Sequence, residues 1–333
     1  MVATVAGLWT GARLLTDAVV RLARRVGLSE LTIGLTVVAM GTSTPELVVT
    51  SDAAFRRLGD IAVGSVVGSN IYNLAFVLGV VSLVRVIPVE RSLVNRDGIA
   101  LLASALAGAG AMLDLTVSRI EGLALLGLPV GYTALLLRRG AGPEPSGTTD
   151  PGSGAGATRA PPDAGAEADR EAVPVAAATD RAAFRPRDVA LFAAGLVLIL
   201  VSGDLMMGAA SELDPRRRRL RLGDRGAIVA AGTSTPEFAV SLVATRRGSI
   251  GVSAGNVVGS NVFDVLGIMG LGAMLRPLSF GAVALESVAW LVAVSAAIVA
   301  ALWTGRQLSR PEGGLLACSG LARWVLGLLG LVG

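Results

Sequence analysis

Residues 41–46 read GTSTPE, and residues 232–237 repeat the same six letters. Each copy lies inside a long run of apolar residues. The proline lacks a backbone N–H and its ring clashes with the carbonyl group four residues earlier, so a helix that contains it breaks or distorts. A glutamate follows at once, and a carboxylate inside an apolar span is costly and by default marks a functional site. The hexapeptide therefore predicts a broken membrane helix with a functional carboxylate, twice in one chain.

The composition of the chain is that of a membrane protein. Its 333 residues are 53% hydrophobic and 16% charged, whereas soluble domains carry about a quarter charged residues. The mean hydropathy is +0.67. Ten apolar runs come near the roughly 17–25 residues of a bilayer-spanning helix. We therefore predict an all-α polytopic membrane protein with ten transmembrane helices, at residues 1–20, 31–55, 61–84, 98–115, 119–137, 188–210, 226–245, 251–274, 281–303 and 313–332.

The residue types exclude several classes of function. The chain has no histidine and one cysteine, Cys318. Ser-His hydrolysis, histidine proton relays, zinc sites that need histidine and internal disulfides are thereby ruled out. The net charge of +4 reflects arginines that flank apolar runs, which is typical of a membrane protein and not of a nucleic-acid surface. The sequence indicates a lipid bilayer as its surroundings and no nucleic acid as a partner, and no protein partner can be inferred from it.

The two copies of GTSTPE belong to an internal repeat. A shift of 191 residues aligns residues 37–79 with 228–270 without a gap, and 18 of the 43 positions are identical. A second motif, VVGSN at residues 66–70, recurs in the same register at 257–261. Because five apolar runs lie on each side of the middle of the chain, the second half enters the membrane from the opposite side. This predicts two inverted five-helix repeats, an arrangement common in secondary transporters, with the broken helices at a site in mid-membrane.

The segment between the repeats differs from the rest of the chain. Residues 140–187 are rich in Gly, Ala, Pro and Asp and show no periodicity, and such a composition cannot bury a core. We predict a disordered linker between a first repeat at 1–139 and a second at 188–333. When this linker is placed in the cytoplasm, most arginines beside the spans face inside, as membrane proteins prefer. The arginine-rich run at 214–225 opposes that orientation.

The broken helix offers only oxygen donors. In lipid, freed backbone carbonyls are tolerated where they line a polar cavity, and the hydroxyls of the motif and its glutamate add further oxygens. Such donors suit hard cations such as Ca²⁺ or Na⁺ and disfavour zinc and copper. Ca²⁺ takes about six to eight oxygens, so one copy could hardly hold it, whereas two copies together could. A kinked helix with polar packing is the alternative for a single copy, and two copies in register favour the ion site.

The second motif adds polar groups to the same site. Ser69 and Asn73 are four residues apart and share a helix face, as do Ser260 and Asp264. Together with Glu46 and Glu237, Asp264 makes three acids, which balance one divalent cation or several monovalent ones. The nearby glycines are interpreted as close helix packing and not as ligands: Gly64, Gly68, Gly255 and Gly259.

A duplicated G-T-S-x-P-E helix followed by G-S-N-x-x-(N/D) resembles the alpha repeats of the cation/calcium exchanger superfamily, here of the prokaryotic sodium/calcium exchanger branch. The resemblance implies ten transmembrane helices, with ion sites between the second, third, seventh and eighth. It implies a multi-pass protein of the prokaryotic plasma membrane that is not an enzyme and has no cofactor beyond the transported ions. It also implies antiport by alternating access, in which Na⁺ entry drives Ca²⁺ out while helices one and six slide.

The resemblance also assigns residues to roles. Ca²⁺ would be held by two carboxylates and two backbone carbonyls, those of Glu46, Glu237, Thr42 and Thr233. Na⁺ would use the same glutamates with four serines and two carbonyls: Ser43, Ser69, Ser234, Ser260, Ala39 and Ala230. Asn73 and Asp264 would line the central position.

Other functions remain open at the level of sequence. A Ca²⁺/H⁺ or K⁺-assisted exchanger uses the same donor types, since carboxylates bind protons as well as Na⁺. A cation channel is less favoured, and an intramembrane enzyme is disfavoured because no nucleophile–base pair is present. One segment departs from its partner: residues 217–227 read RRRLRLGDRGA where residues 26–36 read VGLSELTIGLT, so the start of the seventh helix is not predicted by the repeat.

Overall fold

The computed structural model describes residues 2–88, 93–139, 186–212, 230, 232–305 and 307–328. The α-helices are α1 (Val2–Val26), α2 (Glu30–Ile33), α3 (Ala39–Thr42), α4 (Thr44–Phe55), α5 (Gly59–Ile71), α6 (Leu78–Val84), α7 (Ile99–Ala111), α8 (Arg119–Arg139), α9 (Pro186–Glu212), α10 (Thr235–Arg246), α11 (Ile250–Val262), α12 (Met269–Leu275), α13 (Val283–Gly305) and α14 (Arg310–Leu328). The π-helical segments are π1 (Gly34–Val38), π2 (Tyr72–Val77), π3 (Leu93–Gly98) and π4 (Phe263–Ile268). Two-residue strands are β1 (Ile87–Pro88), β2 (Thr116–Val117), β3 (Leu278–Ser279) and β4 (Gln307–Leu308).

Helices long and apolar enough to cross a membrane run through both halves. Among the described residues five continuous runs qualify, and one pair bent by 46° makes a sixth: Gly59–Val84, Arg119–Arg138, Pro186–Met206, Ile250–Leu275, Val283–Gly305, and Glu30–Thr42 with Thr44–Phe55. The other predicted spans correspond to α1, α7, α10 and α14, which are helical but too short or less apolar. The helical polytopic class is confirmed, while the count of ten and the inversion of the halves stay predictions.

Several sequence predictions fall wholly or partly outside the described residues, among them the end of the tenth span at 329–332. The arginine run at 214–225 lies there, as do residues 140–185 of the predicted linker. So does the start of the predicted seventh span, where the described chain resumes only at residue 230. Helix α9 begins at Pro186, two residues before the predicted start of the second repeat.

Contacts in one half recur, with partners exchanged, in the other. Strand β1 pairs with β4 through Ile87 and Leu308, and β2 pairs with β3 through Val117 and Leu278. The 191-residue shift maps Ile87 onto Leu278 and Val117 onto Leu308, so it maps the β1–β4 pair onto the β3–β2 pair. The starts of α8 and α14 also match, because each carries a Ser-x-x-Glu capping box, one of them Ser118–Glu121. The repeat read from sequence is therefore a repeat of contacts as well.

Helices α1 and α9, the predicted sliding pair, lie against each other. Their backbones approach closely, since a Cβ added to Gly195 would lie 2.7 Å from the backbone nitrogen of Leu15. Helix α1 also contacts the C-terminal end of α10. Asp17 forms an ion pair with Arg247, and Arg246 lies 5.2 Å from the centre of the Trp9 ring.

The core around the predicted site is built by α11 packing on α2 and π1. This contact is close because small residues of α11 face backbone atoms of the other two segments. A Cβ on Gly255 would lie 2.6 Å from the carbonyl oxygen of Leu31, and one on Gly259 would lie 2.4 Å from that of Leu35. The interpretation of these two glycines as packing residues is confirmed. Gly68 also packs closely, with an added Cβ 2.9 Å from Ala230, whereas an added Cβ on Gly64 meets no described atom within 4 Å, so the interpretation is wrong for Gly64. The contact of α11 with α2 and π1 sets the position along α11 at which α3 and α4, the helices that carry the first GTSTPE motif, lie.

Candidate ion-binding site

Each GTSTPE motif breaks its helix at the serine. Ser43 separates α3 from α4 with φ −77° and ψ 11°, and Ser234 precedes α10 with φ −84° and ψ 8°. Each proline then lies in the first turn of the next helix, where its missing N–H costs no hydrogen bond. In the first copy, Thr44 donates its hydroxyl to the carbonyl oxygen of Gly41 at 2.7 Å. The predicted break is confirmed in both halves.

The glutamates of the two motifs face each other's serines. Ser43 donates its hydroxyl to Oε1 of Glu237 at 3.3 Å, and Ser234 donates to Oε1 of Glu46 at 3.1 Å. All four side chains are fully buried. The 191-residue shift turns one of these bonds into the other. The two motifs, far apart in sequence, therefore meet in one place, as the sequence predicted.

The remaining carboxylate and amide come from π-helical segments. Asn73 lies in π2 and Asp264 lies in π4, and both are fully buried. A π-bulge often occurs at a functional site, because the extra residue changes the direction of a side chain without ending the helix. Among the described residues, neither the oxygens of Asp264 nor the amide atoms of Asn73 find a hydrogen-bond partner.

Buried acceptors without partners mark where a cation would sit. One oxygen of each glutamate, Oε2 of Glu46 and of Glu237, is buried without a partner, as are both oxygens of Asp264. No arginine of the described residues forms an ion pair with any of them. Buried charges are expensive unless a counter-charge is present, so the arrangement calls for a bound cation or protons.

The other predicted ligands surround this centre less directly. Ser69 and Ser260 are fully buried, but each donates within its own helix, to Val66 O at 3.0 Å and to Asn256 O at 2.6 Å. Neither forms a hydrogen bond to the glutamates in the structure.

The residues whose backbone carbonyls are predicted to bind the cation lie in the last turn before each break. Thr42 donates its hydroxyl to Ala39 O at 3.3 Å, and Thr233 donates to Ala230 O at 3.2 Å. Ala39, Ala230 and Thr42 are buried, whereas Thr233 is half-buried.

Carboxylates alone do not make a chelating cluster here. Within the described parts of the chain, no three Asp, Glu, His or Cys side chains lie close enough to hold a metal ion by themselves. A hard cation would need neutral oxygens as well, and hydroxyls, carbonyls and an amide are what the surrounding positions offer. The full ligand set stays a prediction.

Asn256 is a site residue that the sequence did not reveal. Its Oδ1 accepts the Thr42 hydroxyl at 3.0 Å, and its Nδ2 donates to Glu237 O at 3.3 Å and to Ser241 Oγ at 3.0 Å. One buried amide thus joins the motifs of both repeats. The equivalent residue in the first repeat is Ser65, whose buried hydroxyl has no partner among the described residues. The 191-residue shift aligns Ser65 with Asn256, so the sequence shows that the two residues differ, but that difference alone suggests only a small effect on the site.

We expect Asn256→Ser to weaken Ca²⁺ binding. The substitution removes the Asn256 amide from both motifs, which leaves the Thr42 hydroxyl with only Ala39 O and takes one donor from Glu237 O. The loss of a buried hydrogen-bond partner costs about 1–3 kcal/mol. The KM for Ca²⁺ should rise by about tenfold, since 1.4 kcal/mol is a factor of about ten, while the maximal rate changes less.

Initial rates of ⁴⁵Ca²⁺ uptake over a range of Ca²⁺ concentrations measure this effect. Ser253→Ala is the matched control, because Ser253 lies one turn earlier in α11 and bonds Ser241 O and Thr245 away from the glutamates. An equal rise of KM in both variants would show that Asn256 acts only through general packing.

Comparison with known proteins agrees with this geometry. The sequence profile described as sodium/calcium exchanger protein matches residues 1–138 and 188–319. The putative antiporter CaxA of Alkalimonas amylolytica is 30% identical over 321 residues, which cover 95% of this chain and 93% of that protein. The sodium/calcium exchanger MaX1 of Methanosarcina acetivorans is 43% identical over 84 residues, which cover 25% of this chain and 24% of that protein.

Solved structures share the fold. A structure of the sodium-calcium exchanger NCX_Mj, soaked with Na⁺ and Ca²⁺, superposes with a TM-score of 0.76 at 24% identity. The match covers 99% of this chain and 97% of that one. The family match, these relatives and the apolar helices are those of a multi-pass transporter of the prokaryotic plasma membrane. The chain belongs to the sodium/calcium exchanger protein family, so it is an antiporter of that family.

Proposed function

We propose that this antiporter exchanges Na⁺ for Ca²⁺ by alternating access, and that Na⁺ entry drives Ca²⁺ out of the cell. The observation that carries the proposal is the pair of crossed bonds, Ser43 to Glu237 and Ser234 to Glu46. They bring one buried carboxylate from each repeat into contact with the motif of the other repeat. A site built from both halves changes its ligands when one half moves against the other, which is what alternating access requires.

The charge of the site supports a divalent cargo with a monovalent counter-ion. Glu46, Glu237 and Asp264 carry three negative charges when ionised, and they are fully buried. One Ca²⁺ or several Na⁺ ions neutralise most of that charge, so either cargo stabilises the site and an empty, ionised site is unstable. After the cargo leaves, the protein can therefore switch access back to the first side only when another cation or protons have filled the site. This requirement makes transport an exchange.

The donor chemistry supports Ca²⁺ over softer metals. The predicted ligands are carboxylate, hydroxyl, amide and carbonyl oxygens, which hard cations prefer. Ser43 and Ser234 already donate their protons to the glutamates, so their oxygen lone pairs remain available for a cation.

Helices α1 and α9 supply a moving part for this mechanism. They lie together across the bundle, and α1 reaches the rest of the protein partly through the Asp17–Arg247 ion pair. This ion pair is partly exposed, and such pairs contribute about 0–1 kcal/mol. Helix α1 also shares an apolar cluster with α10 that includes Leu15, Val19 and Val240, and apolar contact is non-directional, so it allows sliding. We propose that these two helices slide as one unit between the two access states.

A flux experiment tests the proposed exchange. Proteoliposomes loaded with Na⁺ and diluted into Na⁺-free buffer should take up ⁴⁵Ca²⁺, and vesicles with equal Na⁺ on both sides should not. Uptake driven by a pH gradient but not by a Na⁺ gradient would show a Ca²⁺/H⁺ exchanger, and a requirement for K⁺ would show a K⁺-assisted one. Ca²⁺ conductance without a counter-ion would show a channel and overturn antiport.

A further inference from the structure

A cavity of about 620 Å³ lies at one end of the helix bundle, away from the buried carboxylates. Its walls are Phe55, Arg119, Leu275, Arg276 and Pro277. Three of these residues stand at ends of apolar helical runs: Phe55 ends α4, Arg119 begins α8 and Leu275 ends α12. Residues at the ends of membrane spans lie at the depth of lipid headgroups, so the cavity opens at that level.

The two arginines leave most of their donors free. Arg119 donates Nη2 to the carbonyl oxygen of Leu275 at 3.4 Å, and Arg276 donates Nη1 to that of Phe55 at 3.4 Å. Each guanidinium has five N–H donors and stays charged. Across the described ranges, no carboxylate forms an ion pair with either arginine. The cavity therefore carries two positive charges without a counter-ion.

The surroundings of the cavity are apolar. Phe55 is 62% exposed, and along the first turns of α8, next to Arg119, Ile120 is 82% and Leu123 is 60% exposed. Exposed aliphatic side chains on a transmembrane helix face acyl chains. A ligand that suits both parts has an anionic head for the two arginines and a hydrocarbon tail for α8.

We propose that this cavity binds the phosphate group of an anionic phospholipid. Guanidinium groups pair with phosphate oxygens through two parallel hydrogen bonds, and two arginines on one cavity give a geometry that a single surface arginine lacks. A headgroup with no ammonium is preferred, because a second positive charge beside Arg119 and Arg276 is repelled. The lipid would link the ends of α4, α8 and α12, and so join elements of both repeats.

Native mass spectrometry of the full chain in detergent tests the assignment. The probes are phosphatidylglycerol, phosphatidylcholine and inorganic phosphate, each added separately. We expect phosphatidylglycerol adducts on the wild type and about 30-fold weaker binding in Arg119→Gln/Arg276→Gln, since each arginine near a membrane surface contributes roughly a fivefold factor. Arg119→Lys/Arg276→Lys should retain part of the affinity, because it keeps the charge but not the paired hydrogen bonds.

A matched variant separates this site from general surface charge. Arg56→Gln/Arg57→Gln removes two arginines at the same end of the bundle but outside the cavity, and it should bind phosphatidylglycerol as the wild type does. Equal affinity in the Arg119/Arg276 and Arg56/Arg57 variants would overturn the site. Inorganic phosphate that displaces the lipid at equal concentration would overturn the lipid assignment in favour of a free anion. Each variant must give the gel-filtration profile of the wild type, so that a loss of binding is attributable to the cavity.

Discussion

Glu46→Gln and Glu237→Gln will each abolish Ca²⁺ uptake in Na⁺-loaded proteoliposomes. Glutamine keeps the size of the side chain and removes its charge, so the buried site has one negative charge fewer for a dehydrated divalent ion. Removing one partner of a buried charge pair costs about 3–5 kcal/mol, which is a loss of more than about 100-fold in affinity. The initial rate of ⁴⁵Ca²⁺ uptake, normalised to reconstituted protein, measures the effect.

The two glutamate variants should be equally inactive and equally well folded. Their environments match, since each accepts one hydroxyl from the opposite repeat and has one unpartnered oxygen. Glu121→Gln and Glu312→Gln are the matched controls: they are an equivalent pair of glutamates that cap α8 and α14 away from the site. Normal transport by either Glu46→Gln or Glu237→Gln would show that the site is assigned to the wrong residues.

The features of the site that depend on local chemistry were predictable from sequence. The proline of each motif, helped by the glycine before it, predicts a break or distortion in an apolar helix. The structure has such breaks at Ser43 and Ser234, although the residue at which each helix ends was not predicted. The repeat then predicts that two such breaks meet. Composition predicted the helical membrane class, because apolar runs of spanning length leave few other folds.

Features that depend on which helix faces pack against each other were not predictable from the sequence. The π-helical segments that carry Asn73 and Asp264 leave no signature in the sequence. One extra residue shifts the helix register, but these helices are apolar on nearly every face, so the shift changes no visible pattern. The bridging role of Asn256 is of the same kind. Asn256 and Ser65 occupy equivalent positions, and only the packing of α11 against α3 and α10 decides that Asn256 reaches both motifs. The alignment shows the difference without its consequence.

Gly259→Ala is the second variant from which we expect a large effect. The added Cβ would lie 2.4 Å from the carbonyl oxygen of Leu35 and 2.7 Å from its Cα. These are backbone atoms that cannot rotate aside, so α11 and π1 must move apart. Overpacking of this kind costs about 1–3 kcal/mol, occasionally more. We expect a lower melting temperature of the purified protein and slower Ca²⁺ uptake.

The effect on transport follows from the position of Leu35 in the chain. Segment π1 leads directly into α3, which ends at Thr42 one residue before the break, so a shift of π1 moves the first motif relative to Glu237. Gly127→Ala in α8 is the matched control, since no described atom lies within 4 Å of its added Cβ. Alanine is also the better helix former by about 1 kcal/mol, so this control should melt at the same or a higher temperature. Equal melting temperatures for the two variants would show that the contact between α11 and π1 is looser than the structure indicates.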